Sequence, residues 1–442
     1  MNAFTSWMDK YLTPVAAKIG NNKYLKAISS GFIAVMAATI VGSMFTLLGN
    51  LPITAWTEWL AATGLSKLLA LPGQCTTDLI AVYAVFFIAY SLARELDVDG
   101  VGAGLSVLVS FFIVTGRATY FATAATDATA VSALATTYLG AKGLFAAMLI
   151  ALIGGRIYVA VVKAGWVIKL PDSVPPNVAN SFSSLIPASI VIVFFVIVTG
   201  LCSLTSYGSL HNMVFTIIQS NLMKFMGNNV GSFIFFQLMA NLLWFFGLHG
   251  GNIVGSITNP IYTPLSLENL AAYQAGQTTM PYIITGALGK TFIFGGVGSM
   301  FGLAILMAFR AKSKQYKTLG RLALPTTFFF INEPLLFGIP IVLNPFFFLP
   351  LVFITPILGL ITYFVMKIGL VPIPHGLQIP WTTPPVIDGF LQGGWGLALW
   401  EFIMVLASIA MWYPFFKLGD KKALEEEMGA MSEAERPAAD NK

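Results

Sequence analysis

Long apolar stretches recur along the whole chain. A helix needs about 20 apolar residues to cross the hydrocarbon core of a bilayer. Stretches of roughly this length lie at 25–49, 78–96, 101–116, 142–163, 184–205, 228–247, 283–310, 346–368 and 394–416. With the shorter apolar segments between them, the pattern predicts an all-α polytopic membrane protein with about ten transmembrane helices.

Two other apolar stretches, 241–260 and 325–345, are interrupted by Gly, Pro and Asn and by a His or a Glu. Irregular backbone at membrane depth is tolerated only where it is buried in protein or lines a watery cavity. We therefore expect two re-entrant hairpins, which commonly carry substrate sites. Residues 207–227 alternate between apolar and polar types, and this pattern predicts an amphipathic helix lying along the membrane interface.

The order of these elements predicts four parts. The first is an N-terminal transmembrane half at 1–206, and the second is the amphipathic connector at 207–227. The third is a transmembrane half at 228–420 that carries both hairpins, and the last is a charged tail at 421–442.

Composition and charge placement support a membrane location. The chain is 57% hydrophobic and only 10% charged, whereas soluble domains carry about 25% charged residues. The formal net charge of +5 does not indicate nucleic acid, because the cations lie in short loops where they act as topology signals. The cations that flank the first and last spans predict cytoplasmic termini: Lys10, Lys18, Lys23, Lys26, Lys417, Lys421 and Lys422.

Several kinds of bound group are not expected. The sequence has no Walker-type phosphate loop and no Gly-rich dinucleotide fingerprint. Cys75 and Cys202 lack metal-ligand spacing. We therefore expect no cofactor and no metal site.

Glu333 is the strongest candidate for a functional-site residue. It lies within an apolar stretch, directly before Pro334. A carboxylate at membrane depth costs at least a few kcal/mol, about 2.5 or more, unless it faces a cavity or a partner. A structural carboxylate neutralised by a nearby Lys or by backbone donors is the alternative interpretation.

His249 is the second candidate. It follows Trp244 closely and is flanked by glycines in the first broken stretch. Its ring nitrogens can hydrogen-bond a sugar hydroxyl or a phosphate. The alternative is a His satisfied within the protein core.

Trp381, Thr382 and Thr383 form a third cluster, between Pro380 and Pro384. An indole can stack on the apolar face of a sugar ring while hydroxyls bind its rim. The alternative interpretation of Trp381 is an interfacial aromatic belt residue.

At these motifs the chain resembles the IIC subunits of the lactose/cellobiose/diacetylchitobiose family of phosphotransferase systems. The likeness extends nearly from end to end. The matching segments are 91–112, 138–145, 175–187, 332–345, 381–385 and 413–417.

The resemblance implies a ten-span homodimer in the bacterial inner membrane, in which the first half dimerises and the second half binds sugar. It also implies import of a disaccharide and phosphorylation of its 6-hydroxyl by a IIB subunit, which we expect to be a separate chain. Glu333 and His249 would lie near the reacting hydroxyl, and Trp244 and Trp381 would stack on the sugar. The expected hydrogen-bonding residues are Asn252, Asn332, Thr382 and Thr383.

Two other functions remain open on the sequence. A proton- or sodium-coupled secondary sugar transporter also uses membrane-depth Glu and His residues on broken helices. A receptor or scaffold that transports nothing accounts for the apolar spans, but it gives no reason for the polar residues in the hairpins.

Overall fold

The protein is almost entirely helical. A computed structural model describes residues 21–49, 54–116, 118–121, 130–134, 136–171, 174–227, 229–339 and 341–434, together with Pro14 and Lys18. Within those residues the strands are one antiparallel pair, β1 (Ala118–Phe121) and β2 (Ala130–Ala133), and irregular segments precede α13 and α17. The predicted helical class is confirmed apart from this hairpin. Lys10 and residues 435–442 of the predicted tail lie outside the described residues.

The helices before residue 228 vary widely in length. They are α1 (Lys23–Gly49), α2 (Thr54–Thr63), α3 (Leu65–Thr76), α4 (Ile80–Glu95), α5 (Gly100–Thr115), α6 (Leu144–Lys163), α7 (Pro176–Ser183), α8 (Leu185–Ser203), α9 (Leu210–Val214) and α10 (Ser220–Gly227). A π-helical turn (Phe215–Gln219) joins α9 to α10.

The later helices include one that is 48 residues long. They are α11 (Val230–Phe245), α12 (Gly250–Gln274), α13 (Phe301–Arg310), α14 (Lys314–Phe328), α15 (Glu333–Gly338), α16 (Pro345–Lys367) and α17 (Ile387–Ala434). The backbone of α17 is broken at Gly393 and Gly394, where the dihedral angles are not helical.

Helices suited to crossing a membrane occur throughout the described chain. Six stretches have the length and composition to span it: Lys23–Gly49, Leu65–Glu95, Ala141–Lys163, Ser181–Ser203, Pro345–Lys367 and Ile387–Gly429. Three shorter apolar helices add to them: Gly100–Thr115, Val230–Phe245 and Val297–Arg310. The total of about ten crossings stays a prediction.

The chain forms two compact units. The first contains Met1–Asn228 and Gly255–Ala275, and the second contains Asn229–Val254 and Gly276–Lys442. Most of α12 therefore belongs with the first unit, whereas the linear division of the sequence places it in the second half. The roles expected of the two halves, dimerisation and sugar binding, stay predictions.

Close approach of α1 and α4 depends on a small residue. A Cβ atom on Gly31 would lie 2.4 Å from the Ile88 side chain. Four of the eight buried residues of α4 are alanines: Ala81, Ala84, Ala89 and Ala93. Small residues at helix contacts are typical of membrane proteins, because lipid provides no hydrophobic drive to bring helices together.

The connector at 207–227 is helical, as predicted, but its histidine is buried. The His211 ring stacks on Tyr138 with the centroids 4.6 Å apart, and its Nε2 lies 3.0 Å from the Thr115 hydroxyl. Burial lowers the pKa of His211 to about 4, so this imidazole is neutral at physiological pH and serves packing. Its predicted position along the membrane interface stays a prediction.

The span predicted at 283–310 is wrong in its first half. Helix α13 begins only at Phe301, and the preceding residues contain short 3₁₀ turns and glycines with positive φ, such as Gly295 and Gly296. Phe292 and Phe294 are fully buried in this irregular segment. The stretch is apolar because protein covers it, and apolarity alone does not distinguish such a segment from a membrane span.

Side chains from the last helix satisfy the backbone of this irregular segment. The Trp412 indole N–H donates to the Gly298 carbonyl over 2.9 Å, and the Ser408 hydroxyl donates to the Ser299 carbonyl over 2.6 Å. Backbone carbonyls freed by a break in a helix therefore find partners inside the second unit, as membrane burial requires.

Helix α17 also caps α14. The Asp420 carboxylate accepts hydrogen bonds from the Lys312 and Ser313 amides, at 2.8 and 3.0 Å, and from the Ser313 hydroxyl at 2.7 Å. Glu427, one to two turns further along, accepts from the Lys314 and Gln315 amides. Together they satisfy amides that no intrahelical carbonyl can reach.

Asp420→Ala is expected to lower the free energy of unfolding by about 1–3 kcal/mol, because it leaves buried amides without an acceptor. Glu427→Ala is the matched control and is expected to cost under about 1 kcal/mol, because its hydrogen bonds are solvent-exposed. Unfolding in detergent, followed by circular dichroism, measures both. Equal losses would contradict the capping role of Asp420.

Candidate functional site

The first broken stretch brings three predicted site residues together. Helix α11 ends at Phe245 and α12 begins at Gly250. The short turn between them folds the exposed His249 ring back against the half-buried Trp244 indole, with the ring centroids 4.3 Å apart. Asn252 follows in the first turn of α12.

The hydrogen bonds of His249 define its tautomer. The Asn252 amide donates to His249 Nδ1 over 3.1 Å, so this ring nitrogen accepts and, in the neutral ring, Nε2 carries the proton. The imidazole thereby caps the start of α12. It also presents an N–H donor beside an indole, a combination that suits a sugar hydroxyl or a phosphate oxygen.

Close packing of α11 against α12 holds this turn. A Cβ atom on Gly250 would lie 1.9 Å from the Ala240 carbonyl oxygen. Gly247 has φ of +78°, a conformation that favours glycine. Both glycines are therefore needed for the geometry that places His249 on Trp244.

The second broken stretch places Glu333 at the start of α15. Its carboxylate is half-buried, and within the described part of the chain it has no hydrogen-bond or ion-pair partner. The neighbouring Asn332 is buried and donates from its amide to the Val297 carbonyl over 3.2 Å. Asn332 thus anchors the irregular segment before α13, and its expected contact with sugar stays a prediction.

The two broken stretches are joined through their backbones. The Leu343 amide donates to the Phe245 carbonyl over 2.9 Å. Both residues lie where helices are interrupted, and Leu343 has φ of +59°. The end of α11, which carries Trp244, is therefore tied to the segment that follows Glu333 and α15.

The third cluster forms an exposed loop before α17. Trp381 is 55% exposed, and Thr382 and Thr383 are half-buried. Thr383 folds back on the loop, because its amide and hydroxyl both donate to the Pro380 carbonyl, over 3.0 and 2.8 Å. An exposed indole on a tight turn is available for stacking.

Lys290 anchors the beginning of this loop. Its ammonium donates to the carbonyls of Ile379 and Pro380, over 3.1 and 2.9 Å. It also forms an ion pair with Asp388 Oδ1 at 3.3 Å, and the Asp388 side chain is fully buried. The two carbonyls directly precede Trp381, and Asp388 follows it at the start of α17.

Glu401 anchors the end of the loop. Its Oε2 accepts from the Val386 amide over 2.6 Å. Glu401 is fully buried, and its charge interacts with that of Asp388. One buried ionic cluster therefore binds backbone on both sides of 381–385.

Lys290, Asp388 and Glu401 were not among the residues predicted from the sequence. A signal was present, because ionisable residues in apolar helices are rare and usually functional. The contact that links the first two is far apart in the chain, since Lys290 and Asp388 are 98 residues apart. Among the described residues, no group of three or more His, Cys, Asp or Glu side chains could hold a metal ion.

The breaks in these apolar helices carry an indole (Trp244), an imidazole donor (His249) and a carboxylate (Glu333). Polar groups at such breaks are typical of a membrane protein that binds a polar solute. Residues 29–355 match the family "Phosphotransferase system, EIIC". The chain belongs to this family, which confirms the resemblance seen in the sequence.

Relatives cover nearly the full chain. "Lichenan permease IIC component" of Bacillus subtilis (strain 168) is 37% identical, over 97% of this chain and 96% of that protein. "PTS system cellobiose-specific EIIC component" of Geobacillus stearothermophilus is also 37% identical, over 97% and 96%. "PTS system lactose-specific EIICB component" of Staphylococcus epidermidis is 30% identical, over 97% of this chain and 73% of that protein.

A solved structure is also similar. It is the transporter ChbC, "the IIC component from the N,N'-diacetylchitobiose-specific phosphotransferase system". The TM-score is 0.90 at 34% identity, and the match covers 96% of this chain and 99% of that one. The fold is therefore that of a membrane transporter of this family.

Gly250→Ala is expected to lower the free energy of unfolding by about 1–3 kcal/mol, because the added methyl must push α12 away from α11. Gly251→Ala is the matched control: its Cβ would lie 3.6 Å from the nearest atom, on His249. It is expected to leave stability unchanged or slightly raised, because Ala favours helix. Thermal unfolding in detergent compares them, and equal midpoints would contradict the close contact.

Proposed function

We propose that this chain is the sugar-translocating IIC subunit for a β-linked disaccharide, with import coupled to phosphorylation of the 6-hydroxyl by a phosphorylated IIB subunit. The observation that carries the proposal is the His249 geometry. Its Nδ1 is occupied by the Asn252 amide, so its Nε2–H points away from the cap beside the Trp244 indole. The Trp244 indole can stack on a sugar ring while His249 Nε2–H donates to one of its hydroxyls, and both side chains are held by the same turn.

The proposed phosphoryl transfer needs few catalytic groups on the transporter. Phosphoryl transfer proceeds through a loose transition state, in which positioning and charge stabilisation outweigh covalent catalysis. Glu333, with no partner among the described residues, would accept a hydrogen bond from the sugar hydroxyl or take its proton. His249 would donate to the transferred group. Repulsion between an unprotonated Glu333 and the incoming phosphate favours the orienting role over the basic role.

The class of sugar is proposed from relatives. The names of similar proteins include lichenan, cellobiose and N,N'-diacetylchitobiose, all of them β-linked. We propose a cellobiose- or diacetylchitobiose-type substrate. Competition between cellobiose, lactose and diacetylchitobiose for binding to the purified protein distinguishes these candidates.

We also propose a homodimer in the bacterial inner membrane, with both termini cytoplasmic. The cations that flank the first and last spans support this orientation. Val193, Ile197 and Leu201 are 56%, 56% and 60% exposed on one face of α8 in the first unit. An apolar face of this kind must be covered by lipid or by a second copy of the chain.

Uptake into membrane vesicles tests the proposed function. Vesicles loaded with phosphorylated IIB should accumulate sugar phosphate, and vesicles with unphosphorylated IIB should not. Accumulation of free cellobiose driven by a proton or sodium gradient alone would instead support a secondary transporter.

Glu333→Gln is expected to lower the rate of sugar phosphorylation by at least about 100-fold, the typical contribution of a positioned acid–base group. Gln keeps the shape of the side chain, so the variant should assemble and unfold like the wild type. Glu425→Gln, at an exposed carboxylate on α17, is the control. Phosphorylation by Glu333→Gln at the wild-type rate would refute the role of Glu333.

His249→Asn separates capping from sugar binding. Asn retains a short acceptor for the Asn252 amide but lacks a donor at the position of Nε2. We expect near wild-type stability and about tenfold weaker cellobiose binding, equivalent to about 1.4 kcal/mol for one lost hydrogen bond. Tryptophan fluorescence titration measures the affinity. An unchanged affinity would leave His249 with a structural role alone.

A further inference from the structure

The charges around the 381–385 loop do not balance. Asp388 and Glu401 are fully buried carboxylates, and Lys290 is the ammonium that faces them. With both acids ionised, these three side chains would carry a net charge of −1, on carboxylates that are shielded from solvent. Such a charge costs several kcal/mol, about 3–5 in mutational experiments, unless something neutralises it.

Each carboxylate has one oxygen without a partner. Asp388 Oδ1 is bound by Lys290, and Glu401 Oε2 is bound by the Val386 amide. The remaining oxygens, Asp388 Oδ2 and Glu401 Oε1, are buried and have no hydrogen-bond partner among the described residues. A proton on one of these two oxygens would convert an acceptor into a donor and would remove the excess charge.

The loop also contains a strained residue at this cluster. Val386 has φ of +71°, which is a genuine outlier for a β-branched side chain. Conformations of this kind cost about 1–3 kcal/mol and persist only where the surroundings impose them. The Glu401 carboxylate accepts a hydrogen bond from the Val386 amide over 2.6 Å and so contributes to holding this conformation.

We propose that Asp388 and Glu401 share one buried proton, and that the resulting neutral cluster with Lys290 positions the 381–385 loop for sugar binding. This assignment rests on the proposed role of Trp381 in binding sugar. Lys290, Asp388 and Glu401 are positioning residues, because they act through the loop backbone and have no assigned contact with substrate.

The position of the proton follows from the contacts. Asp388 faces the ammonium and is the ionised partner, so Glu401 is the acid that carries the proton and donates it towards Asp388 Oδ2. Gln in place of Glu401 reproduces this arrangement: its oxygen accepts from the Val386 amide and its NH₂ group donates towards Asp388. Asn in place of Asp388 instead leaves Lys290 buried without a counter-charge.

Titration of the intrinsic tryptophan fluorescence with cellobiose, compared with the same titration of Trp381→Phe, tests the positioning role. Glu401→Gln is expected to bind within about twofold of the wild type, whereas Asp388→Asn and Lys290→Met should each bind at least about tenfold more weakly. The double variant Lys290→Met/Asp388→Asn has no net charge and should recover part of this loss. If the cluster only stabilised the fold, the single variants would unfold at a lower midpoint and the double variant would not regain sugar affinity.

Infrared spectroscopy tests the proton without any sugar. The wild type should show the carbonyl stretch of a protonated carboxylic acid that exchanges slowly in D₂O, and Glu401→Gln should lack it. Persistence of this band in Glu401→Gln, or binding by Glu401→Gln as weak as that of Asp388→Asn, would overturn the shared proton. Wild-type affinity in Lys290→Met would overturn the positioning role.

Failure of the proposed function gives a different result. If the wild type binds neither cellobiose nor diacetylchitobiose, the sugar assignment fails. The infrared band still decides whether the cluster holds a proton. Tryptophan fluorescence of the variants without sugar, compared with that of Trp381→Phe, still decides whether the cluster positions the loop.

Discussion

The need to satisfy every polar group away from water is the constraint on which this structure depends. In lipid, a helix provides its own hydrogen bonds, so each break in a helix creates backbone groups that must find partners within the protein. The Leu343 amide finds the Phe245 carbonyl, and the Gly298 carbonyl finds the Trp412 indole. These bonds fix the conformation of irregular segments in the second unit. Side chains of the candidate site lie on or next to these segments.

The same constraint governs the charges. Lys290 donates to two loop carbonyls and one carboxylate, and Glu401 accepts from the Val386 amide. Buried ions rarely add net stability compared with apolar residues, but removal of one partner is costly. Their presence beside the Trp381 loop therefore favours a role in shaping that loop over a role in stabilising the fold.

The sequence predicted the helical class, the broken stretches and the candidate His249 and Glu333, because polar residues within apolar stretches have a direct physical cost. It placed a span at 283–310 because burial in protein and burial in lipid select the same residue types. It also missed Lys290, Asp388 and Glu401, because Lys290 and Asp388 are 98 positions apart and Glu401 and its Val386 partner are 15 positions apart. The Asn332 amide is another case, because its bond to Val297 cannot be inferred from the local pattern.

An experimental structure with bound cellobiose tests most directly whether the broken stretches and the anchored loop of the second unit form one sugar site. The account predicts a sugar ring against Trp244 or Trp381, with hydroxyls hydrogen-bonded to His249 Nε2 and to Glu333. A disaccharide bound elsewhere, with these four side chains untouched, would contradict it.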